Sequence, residues 1–518
     1  MHRALEILEV FETICECSPK DLAALARTCT LFLSPALDRL WKRLPGITPV
    51  LKCMPTELFK IKKKEGHRLQ ATLQRTMEAN DWQRLAFYLP RVRSFTTDYL
   101  VDSVFLEAFQ LSMPGAVLFP NLQELAWHST IGGSSTFHHI RMFLSAGLTT
   151  LRLDDLETYA DFAIFSILAA KCPSLRDVVL APDLPVNGDT TPWDDAVPLI
   201  SQFVCGLLDL ESLSVPGLND SALTHLARLP RLQTLEIRCA APDSFVLNPD
   251  EGDIPFASLV RLTLPACEGA TAILAAIGVC SLVEFECTES FSPPTQNITR
   301  ELYTTLANSC SHTSLKILSV SGDDRDLDPV LDEEVDTYSV TEDCLAPLFS
   351  FANLTYVSLS HPVGFDLDDA VIRRMATAWP RIESLALHSG TARHLPTRVT
   401  LAGLEAISEH CPRLKSLWIT LDATRVPKIP HKVFPTGQTT LIMINVALSP
   451  ITTPRAVGKF LGALFPRLKS IYTLREDIWF DTQFSDEDDG SADEPKVLLS
   501  YKQWKRVEEH LKDNQGSS

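Results

Sequence analysis

The sequence contains no Walker loop, G-x-G-x-x-G, G-x-S-x-G or H-E-x-x-H string. Phosphate cradles, nucleophile elbows and paired zinc histidines of those kinds are therefore not expected. No run approaches the ~18 consecutive apolar residues that a membrane-spanning helix needs. The thirteen cysteines, scattered from Cys15 to Cys411, include no C-x-x-C pair. A secreted disulfide framework is denser and sits in a shorter chain, so these read as small apolar core residues in a reducing compartment. On that reading the sequons at Asn297 and Asn353 carry no glycan. Glu6, Glu9 and Glu12 interrupt what would be the apolar stretch of a signal peptide, so the expected location is the cytoplasm, the nucleus or both.

A basic excess is also missing. The net charge is −18, and two segments carry all of it: residues 322–343, with ten acidic side chains and Arg325, and residues 476–494, with nine acids and no Lys or Arg. The remainder is close to neutral, which excludes the concentrated basic face that nucleic acid requires. Residues 1–70 hold a small excess, twelve basic against eight acidic. The run Lys60, Lys62, Lys63 and Lys64 within it reads as a solvated helix face. Membrane-surface binding is not expected either, because the acidic run beside the C-terminal apolar stripe would be repelled by anionic lipid.

Three local patterns mimic ligand sites. Gly132-Gly133-Ser134-Ser135 reads as a plain loop. His138-His139 with His128 suggests a metal, but neighbouring histidines on an α-helix point to different faces. Asp324, Asp326 and Asp328 begin like a calcium loop, yet Pro329 stands where that loop needs Gly and Val335 where it needs Glu. No metal, cofactor or catalytic group is expected, and the chain reads as a non-enzyme.

What the sequence does have is a recurring string, an optional Pro followed by apolar-x-x-apolar-x-apolar. It occurs at Leu122/Leu125/Trp127, Leu175/Val178/Leu180, Leu210/Leu213/Val215, Leu232/Leu235/Ile237, Leu259/Leu262/Leu264 and Leu282/Phe285/Cys287. It continues at Leu315/Leu318/Val320, Leu354/Val357/Leu359, Ile382/Leu385/Leu387, Leu414/Leu417/Ile419 and Leu468/Ile471, with weaker copies from Val92, Leu148 and Leu441. Fourteen starts between Val92 and Leu468 give a mean spacing near 29 residues, within the ~20–29 of leucine-rich repeats. The tail of the string has strand periodicity, and helix-period stretches such as Val371, Ile372 and Met375 lie between copies. Such a unit cannot bury its own apolar face, so neighbours must stack. The expected architecture is an α/β leucine-rich-repeat solenoid of about fourteen irregular strand-helix units over residues 91–480. The usual Asn is mostly missing from the repeat, so its polar ladder is not expected.

Residues 1–45 read as three short helices. Ile7, Val10, Phe11, Ile14 and Cys15 form one apolar stripe, and Leu22, Leu25, Ala26 and Cys29 the next. Ser18-Pro19-Lys20-Asp21 reads as a helix start, and Ser34-Pro35 as another that leads into Leu37, Leu40, Trp41 and Leu44. Residues 46–90 are expected to be a helical linker or N-terminal cap. Three helices of this size bury little alone and must dock on something.

The segment Asp21-Leu22-Ala23-Ala24-Leu25-Ala26-Arg27-Thr28-Cys29, followed by Leu40-Trp41-Lys42-Arg43-Leu44, resembles the F-box, whose middle has the form D-L-x-x-L-x-x-V-C. Ile7-Leu8 stands here where that family has Leu-Pro. Over residues 1 to about 480 the chain resembles a fungal F-box protein with leucine-rich repeats. The resemblance implies a substrate-recognition subunit of a cullin-RING ubiquitin ligase that docks on a Skp-type adaptor. It also implies that Ile7, Val10, Ile14, Leu22, Leu25 and Trp41 carry adaptor docking or the packing that supports it. The alternative is a repeat scaffold independent of any ligase.

In such a solenoid, positions three, five and seven of each unit face the concave side. Early units place Thr150, Arg152 and Asp154 there, and middle units Glu236, Arg238, Arg261, Glu284 and Glu286. Late units place Tyr356, Ser358, His388, Trp418 and Tyr472. Aromatic anchors among small polar residues suit a hot spot for a protein substrate, so Tyr356, His388, Trp418 and Tyr472 are the substrate-binding candidates; the alternative is that the C-terminal segment folds over Trp418. Residues 322–343 read as a flexible acidic insertion and residues 481–518 as an acidic loop with a capping helix, in which Val497, Tyr501, Trp504, Val507 and Leu511 form a stripe.

Overall fold

The computed structural model describes residues 8–17, 20–63, 69–97, 103–128, 137–154, 156, 159–181, 193–240, 244–247, 254–265, 267–289, 294–322, 335–361, 363–389, 397–428, 438–473 and 494–515. They belong to two compact units, Met1–Thr234 and Leu235–Ser518.

In the first unit the strands Arg43–Leu44, Ser94–Thr96, Glu124–His128, Thr150–Asp154, Asp177–Ala181 and Ser212–Gly217 pair in sequence order, all parallel. Position four of each repeat makes one lateral row: Phe95, Leu125, Leu151, Val178 and Leu213, none more than 2% exposed. The second unit repeats the design with Arg261–Leu264, Glu284–Glu289, Ile317–Gly322, Tyr356–His361, Ser384–Ser389, Ser416–Trp418, Met443–Asn445 and Ser470–Tyr472. Its row is Leu262, Phe285, Leu318, Val357, Leu385, Leu417, Ile444 and Ile471, at most 4% exposed. Each such side chain contributes roughly 1.5–3 kcal/mol by leaving water. A one-residue slip in any strand would turn its row outward, so the apolar spacing fixes the register.

Parallel neighbours need a crossover, and here most crossovers are helical. Several helices start where sequence dictates. Asn219 caps Asp220–Ala227 by accepting from the Ala222 amide at 3.1 Å, and Asp368 caps Asp369–Ala378 by accepting from the Ala370 and Val371 amides, both at 3.0 Å. Such caps are worth about 1 kcal/mol each.

The repeats are joined by their backbone where an Asn ladder is lacking. Just before most of the strands, one carbonyl accepts two successive amides from the following repeat. Lys42 O takes Arg93 and Ser94, Gln123 O takes Thr149 and Thr150, and Thr149 O takes Arg176 and Asp177, at 2.8–3.1 Å. In the second unit Lys316 O takes Thr355 and Tyr356, Thr355 O takes Glu383 and Ser384, and Glu383 O takes Lys415 and Ser416, at 2.7–3.3 Å. A main-chain ladder makes no demand on residue type, which is why the repeats stack without the usual Asn.

Three regions depart from expectation. Residues 46–90 are not uniformly helical: Phe59–Lys63 and Leu69–Leu73 form an antiparallel hairpin, so Lys60, Lys62 and Lys63 lie on a strand and not on a helix face. The alternation Phe59-Lys60-Ile61 is a period of two, and it prevails over the local charge. The third helix of the N-terminal segment does not start at Ser34. It runs as Thr30–Trp41 with Pro35 inside, giving up one amide donor. The acidic segment 322–343 is not loop throughout. Val335–Tyr338 is helical, Val340–Thr341 pairs with Phe365–Asp366, and Glu342–Leu345 is a helix that buries Cys344 and Leu345. Val340, Cys344 and Leu345 supply enough apolar surface to make this stretch repeat structure. Residues 323–334, 474–493 and the Asp324–Asp328 pattern lie outside the described residues.

The helix Glu494–Gln515 packs on Pro454–Leu464 and on the last strand, burying Trp504, Val507 and Leu511. Two glycines permit the close approach: a Cβ on Gly458 would stand 3.4 Å from His510 Cβ, and one on Gly462 would stand 3.2 Å from Leu511 Cδ2. Trp504 Nε1 donates to Ser449 O at 2.9 Å and Lys505 Nζ to Ile471 O at 3.3 Å. Among the described residues no helix is long and apolar enough to cross a membrane, and Cys15, Cys172, Cys280, Cys287, Cys310, Cys344 and Cys411 are buried free thiols.

Candidate functional site

The N-terminal helices Leu8–Cys17, Leu22–Leu25 and Thr30–Trp41 pack on one another, with Glu16 and Arg39 paired at 3.3 Å. They are anchored to the first repeat through Trp41, which is 7% exposed and stacked on Tyr88 at 4.6 Å between ring centroids. Arg91 pairs with Asp38 and lies over Phe87. Leu44 continues the chain directly into the sheet beside Phe95. This divides the residues that sequence had grouped together. Leu22 and Trp41 are buried, Ile14 and Leu25 are half-buried, Val10 is 37% exposed, and Ile7 lies outside the described residues.

Three apolar side chains complete the open surface: Leu40, already part of the sequence pattern, is 38% exposed, and Leu31 and Leu33, which the pattern leaves out, are 49% and 39% exposed. Leu33 and Leu40 are seven residues apart, two helical turns, and so share a face. Reading the helix as starting at Ser34 left Leu31 and Leu33 out of it, which is why they were missed.

The second candidate surface lies on the helix-free face of the second unit. Register sorts the four aromatic candidates into three rows. Tyr356 stands at position three beside Ser384, and Trp418 and Tyr472 stand at position five with Asn445 between them. His388 stands at position seven beside Ser360. Ala386 is the direct neighbour of Trp418, and its small side chain lets His388, two residues on, reach across. The two rings meet edge to face with centroids 4.0 Å apart. Burial pushes the His388 imidazole down to about 4, so it is neutral near pH 7 and offers a hydrogen-bonding edge without charge. Trp418 and His388 are half-buried, whereas Tyr356 and Tyr472 are 41% and 39% exposed. Two strand spacings, ~9.6 Å, separate the Trp418 and Tyr472 backbones.

The charged rows are largely self-neutralised. Asp154 accepts from Arg152 Nε and pairs with His128 Nδ1, both at 2.9 Å. Arg261 pairs with Glu284 at 2.5 Å and Arg238 with Glu236 at 3.0 Å. Glu286 beside them titrates above the usual carboxylate range, first from burial and then from Glu284 and Glu236. His128 is thereby engaged away from His138 and His139. Those two rings do not diverge as neighbours on an α-helix would, and their centroids lie 3.7 Å apart.

No family model matches the chain, and neither does any curated protein. Among solved structures, a chain of the yeast Rad7–Elc1 complex is 15% identical with TM-score 0.37, the match covering 91% of this chain and 92% of that one. An internalin from Listeria monocytogenes is 14% identical with TM-score 0.35, covering 68% and 80% respectively. The leucine-rich-repeat ectodomain of the Arabidopsis thaliana receptor kinase GASSHO1/SCHENGEN3 is 15% identical with TM-score 0.32, covering 75% of this chain and 42% of that one. The regular alternation of buried parallel strand and crossover helix within its own two units makes this chain an α/β leucine-rich-repeat solenoid.

Proposed function

We propose that the chain is a substrate-recognition subunit of a cullin-RING ubiquitin ligase. In this reading the N-terminal helices dock on a Skp-type adaptor, and the helix-free face of the second unit holds a protein substrate. One observation carries the reading. A three-helix segment that is already anchored through Trp41 and Leu44 still leaves Val10, Leu31, Leu33 and Leu40 open to water. Burying those four against a partner would recover roughly 25 cal/mol per Å² of apolar surface. The anchoring also gives docking a mechanical purpose, because a partner held by these helices is tied to the start of the first unit's sheet.

The aromatic residues of the second unit supply the other half. Trp418, backed by neutral His388 and set near Ser384, Ser416 and Asn445, has the composition of a binding hot spot, an aromatic anchor among small polar groups. Affinity purification of the full chain from its own cells, followed by mass spectrometry, tests both halves. Recovery of a Skp-type adaptor and a cullin supports the reading. Recovery of other proteins without either would leave a ligase-independent scaffold.

A further inference from the structure

Away from both docking surfaces, three metal-ligating side chains converge on the helix side of the first unit. Glu107 lies on the helix Ser103–Ser112, and His138 and His139 follow one another in the 3-10 helix Phe137–Phe143. One potential ligand atom from each residue lies within 4.8 Å of the other two. A tetrahedral site with bonds of ~2.0–2.2 Å spaces its donors ~3.3 Å apart, so closing the set asks the exposed Glu107 and His138 side chains to draw in by up to ~1.5 Å.

His139 shows that more than chance proximity is involved. It is 1% exposed, and its Nδ1 lies 2.9 Å from Gln110 Oε1. An amide oxygen only accepts, so Nδ1 carries the proton and Nε2 is left with a lone pair. That Nε2 is buried and has no hydrogen-bond partner among the described residues. A buried acceptor without a donor is costly, and a cation would satisfy it. The Gln110 contact is of the kind that fixes tautomer and ring orientation in a metal-bound histidine. Gln110 and Glu107 are three residues apart, so one face of one helix presents both the ligand and the orienting group.

We propose that Glu107, His138 and His139 bind a divalent transition metal of the zinc class, with Gln110 as the positioning residue. Two imidazoles and one carboxylate suit zinc and disfavour calcium and magnesium, which take oxygen ligands. Three protein ligands leave a fourth position for water or an outside ligand. The ion would tie the helix of one repeat to the 3-10 helix of the next.

The test uses the full chain without an affinity tag, stripped by chelator, then titrated with Zn²⁺ alone by calorimetry and with Co²⁺ alone by visible absorption. A single equivalent should bind, with a tetrahedral cobalt spectrum. His138→Ala and Glu107→Gln alter exposed side chains and should keep the native circular dichroism, yet each should weaken binding at least ~10-fold, and Gln110→Leu by ~10-fold or more. No saturable metal uptake by the wild-type chain overturns the proposal. So does uptake that all three variants retain unchanged, which would put the metal on others of the thirteen histidines.

Discussion

Trp418 and Trp504 carry the same side chain, and the structure assigns them opposite consequences. Trp504 is 1% exposed, packs between the C-terminal helix and its neighbour, and donates from Nε1 to Ser449 O. In Trp504→Ala that carbonyl keeps a second donor, Ser500 Oγ at 2.8 Å, so the loss is one of packing and cavity, about 3–5 kcal/mol for a buried aromatic. Trp418 is half-buried, and its described ring partner is His388. Such an edge contact adds ~0.5–1.5 kcal/mol to a partial burial term, so Trp418→Ala should cost about 1–2 kcal/mol of stability in all. If Trp418 anchors substrate, the same change should cost ~2 kcal/mol in binding, roughly thirtyfold in affinity. Urea unfolding of the full chain separates the two indoles, and quantitative capture of the co-purifying substrate reads the binding term. A Trp418→Ala chain destabilised as much as Trp504→Ala, with capture unchanged, would refute the assignment and make Trp418 part of the core.

Further expectations follow from individual contacts. His361 is 3% exposed, and burial pushes its imidazole down to about 4 against an opposing bond to Pro294 O. The unfolded chain takes up that proton first as pH falls. The native state therefore loses stability between pH ~6.5 and ~4, by an amount of order 3 kcal/mol from this group, and keeps it above. His361→Gln, which retains an amide donor toward Pro294, should flatten that part of the urea-midpoint profile, and an unchanged slope would contradict the assignment. A Cβ on Gly206 would sit 2.6 Å from Ala169 Cβ, so Gly206→Ala should lower stability by ~1–3 kcal/mol through overpacking of adjacent repeats. A neutral effect in calorimetry would mean the two helices can separate at no cost.

The buried rows were legible because apolar-x-x-apolar-x-apolar admits one strand register, and every full copy assigns its fourth residue to the same row. The ladder that joins the repeats was not, because it is made of carbonyls and amides that no side chain announces. The antiparallel pairing of Phe59–Lys63 with Leu69–Leu73 is hidden by lysines that suit a helix face, although Phe59 and Ile61 alternate with Lys60 and Lys62. At the candidate sites, sequence found Trp418 and His388 but not that Ala386 brings them together, since that depends on which residue lies alongside in the next strand. It grouped Trp41 with Val10, whereas Tyr88, distant in sequence, buries the first and leaves the second open. The convergence of Glu107 on His138 and His139 joins two repeats and has no local signature.

In the proposed function the open leucines of the N-terminal helices form the adaptor surface. Deleting residues 1–45 is a poor test, because Trp41 and Leu44 belong to the packing of the first repeat. The direct measurement is the affinity of the purified full chain for a purified Skp-type adaptor, compared with a Leu33→Asp, Leu40→Asp double variant. Both side chains are more than a third exposed, so the variant should fold as the wild type does. The wild type should bind and the double variant should lose at least ~100-fold, since each charge would be buried unpaired in the complex. Binding by the variant at wild-type strength, or no binding by the wild-type chain, would contradict that assignment.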